Sequence, residues 1–340
     1  MIRQDVYDKV KLNFDHIAKP LDGLGVFEEL ISKIGAIQDT ERPDITGKAV
    51  VVMCADNGIV SMGVSQSGQD VTLAVLKSMA KGNSSVCHMA SVAGAKVFPV
   101  DIGVNTDETV PNIINCKVRK GTRNFAIEPA MAEAEALKAI EYGKKIVKDI
   151  KAKGVNLIAT GEMGIGNTTT SAAVVASLLK LSPDKVTGRG AGLDDESLKR
   201  KIELIYSAID KYSLYEKDAM EILCTVGGLD IAGLVGVFLG GMEEDVPIVI
   251  DGVISGAAAL IAEKLSPGAK DFMLSSHRGK EAACDYILRK LGLKPVIDGD
   301  LALGEGTGAV MLFPLLDQAM AVYNSEVSFS DIEVEQYKRV

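Results

Sequence analysis

The sequence predicts an α/β protein, built either as a doubly wound parallel sheet or as a barrel. Short apolar runs alternate along the chain with segments of helical periodicity, the order of elements in both architectures. Most of these runs are uninterrupted, as expected for parallel strands that are covered on both faces. The composition agrees, because 47% of the residues are hydrophobic, only 5% are aromatic and 34 are glycine, a balance that suits closely packed helix-on-sheet layers.

Six apolar runs, most of which end in a polar residue and a glycine, are the predicted strands. They occupy residues 49–58, 95–103, 155–164, 246–252, 270–276 and 294–298. The clearest helical pattern between them covers 129–154, with Pro129 predicted in the first turn and Gly154 at the end.

Polar residues at the ends of these runs predict a binding site. Ligands of parallel α/β sheets bind beyond the carboxyl ends of the strands, so these residues are expected at one rim. They are Asp56, Asp101, Glu162, Asp251, Ser275 and Ser276. A strand-end aspartate often only caps the next helix, so a structural role stays an alternative for Asp56, Asp101 and Asp251.

The two ends of the chain differ from the middle. Residues 1–45 and 310–340 are helical in pattern and contain no predicted strand. We expect them to form a small helical domain that packs against a parallel α/β domain at 46–309. The rim with the candidate site belongs to the second domain.

Charge and cysteine content exclude several kinds of partner. The net charge of −9 argues against nucleic acid or an anionic membrane, so any phosphate site must be built locally from glycine amides, a helix N-terminus and a few cations. Five scattered cysteines without CxxC spacing indicate reduced thiols in a cytoplasmic protein.

The apolar stretch at 226–242 is short and is interrupted by Asp230, which predicts a buried helix. The histidines lack paired ligand spacing, so no transition-metal site is predicted.

The segment LIATGEMGIGNTTTSAAVV at 157–175 is a candidate phosphate cradle. Its apolar run stops at Glu162, passes through Gly164 and Gly166, and opens into Asn167 at the start of a predicted helix. Free amide groups and the positive end of a helix dipole suit a phosphate. The segment matches neither GxxxxGK[ST] nor GxGxxG, and a tight turn capped by Asn or Thr stays an alternative.

Two further glycine-rich segments carry charged candidates. VTGRGAGLDDESLKRK at 186–201 combines a cationic loop around Arg189 with a helix whose lysines are candidates for a phosphate contact, although a solvated face is favoured for Lys199 and Arg200. LALGEGTGAV at 301–310 places Glu305 between glycines before an apolar helix, where it is a candidate general base or an ordinary loop glutamate. SSHRGK at 275–280 adds hydroxyls and cations at a strand end.

Several of these motifs occur together in an order and spacing that are specific in combination. They are GEMGIGNTT, GRGAGLDDESLKRK, GGLDIAGLVG, DGVISGAAAL, SHRG and LGEGTGA. The chain resembles the nicotinate-nucleotide:dimethylbenzimidazole phosphoribosyltransferases of cobamide (vitamin B12) lower-ligand assembly, over residues 19–324. The resemblance implies a Rossmann-like parallel α/β domain with helices on both faces, plus a small helical domain from both chain ends. It also implies a dimer, either a homodimer or a heterodimer with a paralogous chain.

The resemblance further implies an activity and a set of site residues. The 5-phosphoribosyl group of nicotinate mononucleotide would move to an aromatic base without an organic cofactor or a metal. Glu305 matches the glutamate taken as the general base, and Glu162 matches a second active-site glutamate. The residues expected to bind the nucleotide and its phosphate are Gly164, Ile165, Gly166, Asn167, Arg189, Gly190, Lys201 and Ser276. Those expected to bind the aromatic base are Ser65, Gln69, Met163 and Leu303.

Two segments depart from the family pattern, and both are expected near the base. Asp56-Asn57-Gly58 stands where the family commonly has DHG, and residues 65–70 lack the aromatic–proline pair that the family often shows. The acceptor therefore stays open between dimethylbenzimidazole, adenine and a phenolic compound. Two other functions stay open as well: a nicotinate-nucleotide hydrolase, and a catalytically silent subunit that supports an active paralogue.

Overall fold

A computed structural model describes residues 2–339 of the chain. Met1 and Val340, the outermost residues of the predicted helical domain, lie outside this range. No helix within the described range is long and apolar enough to cross a membrane.

The central feature is an open parallel sheet of six strands, which decides against the barrel. The strands are β1 (Lys48–Ala55), β2 (Ala95–Gly103), β3 (Ile114–Asn115), β4 (Leu157–Met163), β5 (Ile248–Ile250) and β6 (Met273–Ser275). Their spatial order is β3-β2-β1-β4-β5-β6, and every neighbouring pair is parallel. This is the strand order of the Rossmann fold, so the predicted fold class is confirmed.

Five of the six predicted strands form this sheet, and the sixth does not. The run at 294–298 contributes to β8 (Ile297–Leu301), which pairs in parallel with β7 (His277–Gly279) in a separate two-stranded sheet. The edge strand β3 was not predicted, because two residues are too few to show a pattern.

Twelve α-helices accompany the strands in the described part of the chain. They are α1 (Gln4–His16), α2 (Val26–Gln38), α3 (Asp70–Ala80), α4 (Ser85–Val92), α5 (Glu133–Lys151), α6 (Asn167–Leu179), α7 (Asp195–Tyr212), α8 (Ala219–Val226), α9 (Leu229–Glu243), α10 (Val253–Leu265), α11 (Ala283–Leu291) and α12 (Thr307–Tyr323).

Helices cover both faces of the sheet. Val51 and Met53 of β1 belong to a core layer shared with α5, α6, α8, α9 and α10. Val50 and Val52 point to the opposite layer, which they share with α1, α2, α3, α4 and α12. The alternation along β1 places every side chain of its central part in a dry core, which is why the strand sequence is continuously apolar.

The structure confirms one helix prediction and contradicts part of another. Leu229–Glu243 is buried on nearly all sides, so the prediction of a buried helix around 226–242 is confirmed. The prediction that Pro129 lies in a first helical turn is wrong, because α5 begins at Glu133. The N–H groups of Ala130 and Met131 donate instead to carbonyls at the end of α8, at 2.9 Å each, which holds this segment outside the helix.

The chain ends contribute α1, α2 and α12 to the second core layer. α12 begins at Thr307 and ends at Tyr323, so only the first part of 310–340 is α-helical. A short 3₁₀ turn at Phe329–Ile332 follows, and Arg339 then pairs with Asp15 and Asp22 near the first two helices. The division into a helical domain at 1–45 and 310–340 and an α/β domain at 46–309 stays a prediction.

Candidate active site

The candidate site lies where the strand order reverses, at the carboxyl ends of β1 and β4. β1 pairs with β2 on one side and with β4 on the other, which opens a crevice between the connections that leave in opposite directions. A cleft of about 360 Å³ occupies this position. Segments that lie far apart in the sequence line it, among them 64–67, 162–168, 189–191, 251–255, 279–281 and 301–305.

Glu162 lies at the floor of the cleft and is held by buried polar groups. It is the penultimate residue of β4, and only 7% of it is exposed. One side-chain N–H of Asn167, the first residue of α6, donates to Glu162 Oε2. The same amide nitrogen donates to Asp230 Oδ2 at 3.1 Å, so one asparagine joins two buried carboxyl groups.

Burial controls the protonation of this pair. It raises the pKa of Glu162 to about 8, and the negative charge of Asp230 adds to the rise. The pKa of Asp230 itself is raised to about 6 by burial, against the hydrogen bond from Asn167. At neutral pH, Glu162 therefore holds a proton until a positive charge arrives in the cleft.

Glu305 reaches the same cleft from the turn before α12. Its backbone is left-handed, with φ of +61°, and its Oε2 accepts the N–H of Val86 at 3.1 Å. The turn packs directly on β4: the Glu305 carbonyl leaves no room for a side chain at Gly161. A Cβ atom on Gly304 would lie 2.8 Å from Glu162 Oε1, so the two glutamates belong to adjoining backbone segments.

Asp251 holds this turn in place, which favours the structural alternative for that residue. It follows β5, and its two carboxylate oxygens accept the N–H groups of Gly306 at 3.2 Å and Ala309 at 3.0 Å. These are amide groups at the start of α12, which have no partner within the helix. Asp251 thus caps α12 and also lines the cleft.

The turn from Gly164 to Thr168 has the form of an anion cradle. Gly166 has φ of +94° and precedes the first turn of α6, where a side chain would be both strained and within 2.7 Å of Val60. The N–H groups of Gly166 and Thr168 donate to no other described residue. Free amides at a helix N-terminus are the groups that bind phosphate.

The loop with Arg189 and Gly190 closes this end of the cleft. Arg189 is exposed, donates to the Leu193 carbonyl at 2.8 Å and pairs with Asp195. Lys201 lies behind the loop and is fully buried. Its ammonium donates to Thr168 Oγ1 at 2.9 Å and to the Gly188 carbonyl at 3.1 Å, and burial lowers its pKa to about 8.

A second part of the cleft wall is aliphatic. They are provided by Val64, Val71, Val75, Met163 and Leu303. Of these, Leu303 is 57% exposed and stands at the entrance. Ser65 and Gln66 add polar groups, and Gln66 donates to the Gly192 carbonyl, which holds this segment against the loop that follows Gly190.

Three predicted site residues do not line the cleft. Lys201 is covered by the 188–190 loop. Ser276 donates to the Ile250 carbonyl at 2.7 Å and is turned into the core. Gln69 donates to the Asn57 carbonyl at 3.1 Å and lines a separate surface hollow. The roles assigned to these three residues stay predictions.

The remaining predicted residues meet at the cleft. They are Glu162, Met163, Gly164, Ile165, Gly166, Asn167, Arg189, Gly190, Leu303, Glu305 and Ser65. Asp56 and Asp101 instead accept backbone N–H groups of Asn105 and Val104, at 2.7 and 2.9 Å, and do not line the cleft.

The departure at Asn57 lies beside Gln69, whose side chain donates to the Asn57 carbonyl. The fully buried side chain of Asn57 sits beneath the cradle turn, because a Cβ atom on Gly164 would come within 3.1 Å of Asn57 Nδ2 and 2.7 Å of Asp230 Oδ2. This change therefore adjoins the carboxyl pair, and its effect on base recognition stays a prediction.

Sequence reasoning missed two residues of the site. Asp230 interrupts an apolar run, and a charged residue inside an otherwise apolar helix is itself a signal of a buried function. Glu281 lines the cleft and contacts the 188–190 loop, yet it follows an exposed surface pattern that gives no such signal. Within residues 2–339, no group of three or more His, Cys, Asp or Glu side chains is arranged to hold a metal ion.

The fold and the site together define a class: a Rossmann-like α/β protein with free backbone amides at a helix start and carboxyl groups at the switch point of the sheet. Comparisons with known proteins make the class specific. Residues 1–334 match the family described as phosphoribosyltransferase. The nicotinate-nucleotide–dimethylbenzimidazole phosphoribosyltransferase of Acetivibrio thermocellus is 43% identical over 97% of this chain and 94% of its own length. The enzyme of that name from Clostridium acetobutylicum is 42% identical over 98% of this chain and 95% of its own length.

A solved structure gives the same result. The crystal structure of CobT from Thermus thermophilus superposes with a TM-score of 0.93 at 36% identity, over 98% of this chain and 100% of that one. The chain belongs to the nicotinate-nucleotide–dimethylbenzimidazole phosphoribosyltransferase family, which confirms the resemblance found in its motifs.

Proposed function

We propose that the chain transfers the 5-phosphoribosyl group of nicotinate mononucleotide to an aromatic lower-ligand base. The products are an α-riboside 5′-phosphate, used in cobamide biosynthesis, and nicotinate. The acceptor is dimethylbenzimidazole or a related or phenolic base. The reaction class is that of a pentosyltransferase, and the relatives named above carry it in their names.

One observation carries the proposal: Glu162 and Glu305 adjoin each other in a cleft whose other end is an anion cradle. The amides of Gly166 and Thr168 are free to bind the 5′-phosphate at the start of α6. A nucleotide anchored there extends its ribose toward Glu162, one turn of backbone away. The aliphatic walls next to Leu303 leave an apolar slot for a flat aromatic ring.

The chemistry begins with a nucleotide that already has a good leaving group. A lone pair of the incoming base attacks C1′ on the face opposite nicotinate, and the bond from C1′ to the pyridinium nitrogen breaks. The electron pair of that bond stays on the nitrogen, and the configuration at C1′ changes from β to α. Holding both rings in line with C1′ supplies the orientation part of the rate enhancement.

Glu162 stabilises the positive charge that develops on the ribose. Its pKa of about 8 keeps it protonated in the free enzyme near neutral pH. The cationic pyridinium favours the ionised carboxylate, so nucleotide binding releases the proton and leaves a negative charge beside C1′. Asn167 keeps the carboxyl group oriented during this change.

Glu305 acts as the general base for the acceptor. The N–H of Val86 fixes one of its oxygens and leaves the other for the base. With a benzimidazole, Glu305 takes the proton from the second ring nitrogen as the first one attacks. With a phenol it takes the hydroxyl proton, which matters more because a phenol is hardly ionised at neutral pH, with a pKa of about 10.

The cellular and quaternary context completes the proposal. The enzyme works in the cytoplasm as a dimer, either of two identical chains or with a paralogous chain. The five unpaired cysteines are compatible with a reducing compartment. Light scattering after gel filtration measures the mass of the purified protein and tests the dimer directly.

The decisive experiment identifies products. The purified chain is incubated with nicotinate mononucleotide and, separately, dimethylbenzimidazole, adenine, phenol and p-cresol. The expected result is an α-riboside 5′-phosphate, recognised by mass and NMR, with one nicotinate released for each one formed. Release of nicotinate with ribose 5-phosphate, independent of any base, would identify a hydrolase instead. No product with any base, alone or with a paralogous chain, would refute the proposed transfer.

A further inference from the structure

Glu281 is a carboxylate at the phosphate end of the cleft to which the proposed reaction gives no role. It lies between β7 and α11 and is partly buried. A negative side chain beside a phosphate site opposes phosphate binding unless it has a specific task. Its contacts define that task.

The carboxylate lies along the 188–190 loop. Glu281 Oε1 accepts the N–H of Gly190 at 3.0 Å. Glu281 Oε2 lies against Gly188 and leaves no room there for a side chain. A single side chain therefore holds the loop by a hydrogen bond at Gly190 and also lies against it at Gly188.

Lys201 holds the same loop from the buried side. Its ammonium donates to the Gly188 carbonyl at 3.1 Å and to Thr168 Oγ1 at 2.9 Å. Thr168 belongs to the first turn of α6, which forms the phosphate cradle. The loop is thus clamped between Glu281 and Lys201, and Lys201 connects it to the cradle.

The negative charge of Glu281 partly offsets the effect of burial on Lys201. Burial lowers the pKa of Lys201 to about 8, whereas the negative charge of Glu281 acts in the opposite direction. The contacts to Thr168 and Gly188 are neutral, so Glu281 is the charged group that faces the ammonium from a neighbouring element. On the α11 side Glu281 faces Cys284, whose thiol stays protonated because burial raises its pKa to about 12. On α7, Lys199 and Arg200 are exposed and pair with Glu203 and Glu196.

We infer that Glu281 is a positioning residue for the nucleotide phosphate, acting through the 188–190 loop and through Lys201. It keeps the loop closed behind the cradle and keeps a positive charge next to Thr168. This role rests on the proposed function, because the phosphate it serves is that of the nucleotide. Glu281 itself does not take part in the transfer.

The test compares Glu281→Gln with Glu281→Ala. The amide of the Gln variant can still accept the Gly190 N–H but has no charge, whereas the Ala variant loses both the contact and the charge. Glu203→Gln is the matched control, because it removes an exposed carboxylate from α7 away from the loop. Calorimetry measures binding of two probes, nicotinate mononucleotide and ribose 5-phosphate, between about pH 7 and pH 9, where the phosphate is largely ionised.

The expected result separates contact from charge. Glu281→Ala weakens binding of both probes on the order of tenfold at every pH, as for a lost hydrogen bond to a charged group. Glu281→Gln binds both probes nearly as well as wild type near pH 7. As the pH rises, its affinity begins to fall at a lower pH than that of wild type, because Lys201 loses its proton at a lower pH when Glu281 is uncharged. kcat at saturating nucleotide stays at the wild-type value. If Glu281 only held the loop in place, the pH dependence of probe binding would be the same in Glu281→Gln as in wild type.

Other outcomes would contradict the inference or the function separately. Wild-type affinity and wild-type pH dependence in Glu281→Gln would overturn the role of Glu281, whether or not the Ala variant folds. Wild-type protein that binds ribose 5-phosphate with this dependence on Glu281, yet forms no riboside, would keep the positioning role and refute the proposed transfer. Failure of the wild type to bind either probe would overturn both.

Discussion

Two parts of the cleft wall, the proposed phosphate end and the proposed base end, are built in different ways. The phosphate end consists of backbone amides around Gly166, held from behind by the fully buried Lys201 through its hydrogen bond to Thr168. The base end consists of aliphatic side chains, with Leu303 largely exposed at the entrance. Backbone positions tolerate little change, whereas exposed side chains can vary without cost to the fold. We therefore expect nucleotide recognition to be rigid and base recognition to be adaptable.

The largest effect is expected at the junction of the two ends. Glu305→Gln keeps an oxygen that can accept the Val86 N–H but cannot take a proton from the acceptor. We expect kcat to fall on the order of 10²- to 10⁴-fold, as is typical for loss of a general base. Steady-state release of nicotinate with saturating nucleotide and base measures it. Unchanged kcat would remove Glu305 from the mechanism.

The next change breaks the phosphate end alone. Gly166→Ala adds a Cβ at φ of +94° and 2.7 Å from Val60, so the turn must shift. We expect affinity for nicotinate mononucleotide to fall about tenfold or more, with a stability loss on the order of 1–2 kcal/mol. The control is Gly292→Ala, which has φ of +72° and no neighbour within 4 Å. It should lose some stability and keep nucleotide affinity, and equal affinity losses in both variants would contradict the assignment of the cradle.

The buried pair behind the cradle gives a prediction about pH. Glu162 has a pKa of about 8 in the folded protein against 4.5 as the ordinary value, so the folded state binds the proton more tightly. Its contribution to stability is fully present below about pH 4.5 and is lost as the pH rises through 8. Glu162→Gln stays neutral and should be more stable than wild type at pH 8, by roughly 2–5 kcal/mol.

Denaturant unfolding at several pH values measures this difference. Between about pH 5 and pH 8, approximately the range of the Glu162 titration, wild type should lose stability faster than Glu162→Gln. Glu203→Gln, which removes a carboxylate exposed to solvent, should follow wild type. Parallel curves for wild type and Glu162→Gln would show that Glu162 is ionised in the folded protein.

The smallest effect is expected at the base end. Leu303→Ala shortens a side chain that is 57% exposed, so the free energy of unfolding should change by less than about 0.5 kcal/mol. KM for the base should rise about two- to fivefold, from the apolar contact that is lost, while KM for the nucleotide stays constant. Leu12→Ala, on α1 and 52% exposed, is the control and should change neither KM. A larger effect on the nucleotide than on the base would reverse the assignment of the two ends.

The same contrast explains what could be predicted from the sequence. β1 and β4 were predictable because their side chains are buried on both sides, which leaves continuous apolar runs. The segments with Glu162 and Glu305 stood out because glycines flank a carboxylate where the backbone turns sharply. Local chemistry determines these features, so they are visible in a short stretch of sequence.

Features that depend on distant contacts were not predictable. Lys201 directly follows two charged residues, Lys199 and Arg200, and has the pattern of an exposed residue, yet it is fully buried behind the 188–190 loop. Asp230 accepts a hydrogen bond from Asn167, 63 positions earlier in the chain, and Glu281 accepts one from Gly190, 91 positions earlier. Neither contact can be read from a short stretch of sequence. The edge strand β3 is too short to leave a pattern.

We expect nucleotide binding and proton transfer to depend on different residues of the cleft, and one titration tests this separation. Calorimetry of nicotinate mononucleotide with wild type and Glu305→Gln measures nucleotide affinity without turnover, since no base is present. We expect the two affinities to agree within about threefold, because the proposed role of Glu305 is toward the acceptor and that of the cradle is toward the phosphate. Loss of nucleotide affinity in step with the loss of kcat would contradict this expectation and would make Glu305 a nucleotide-binding residue.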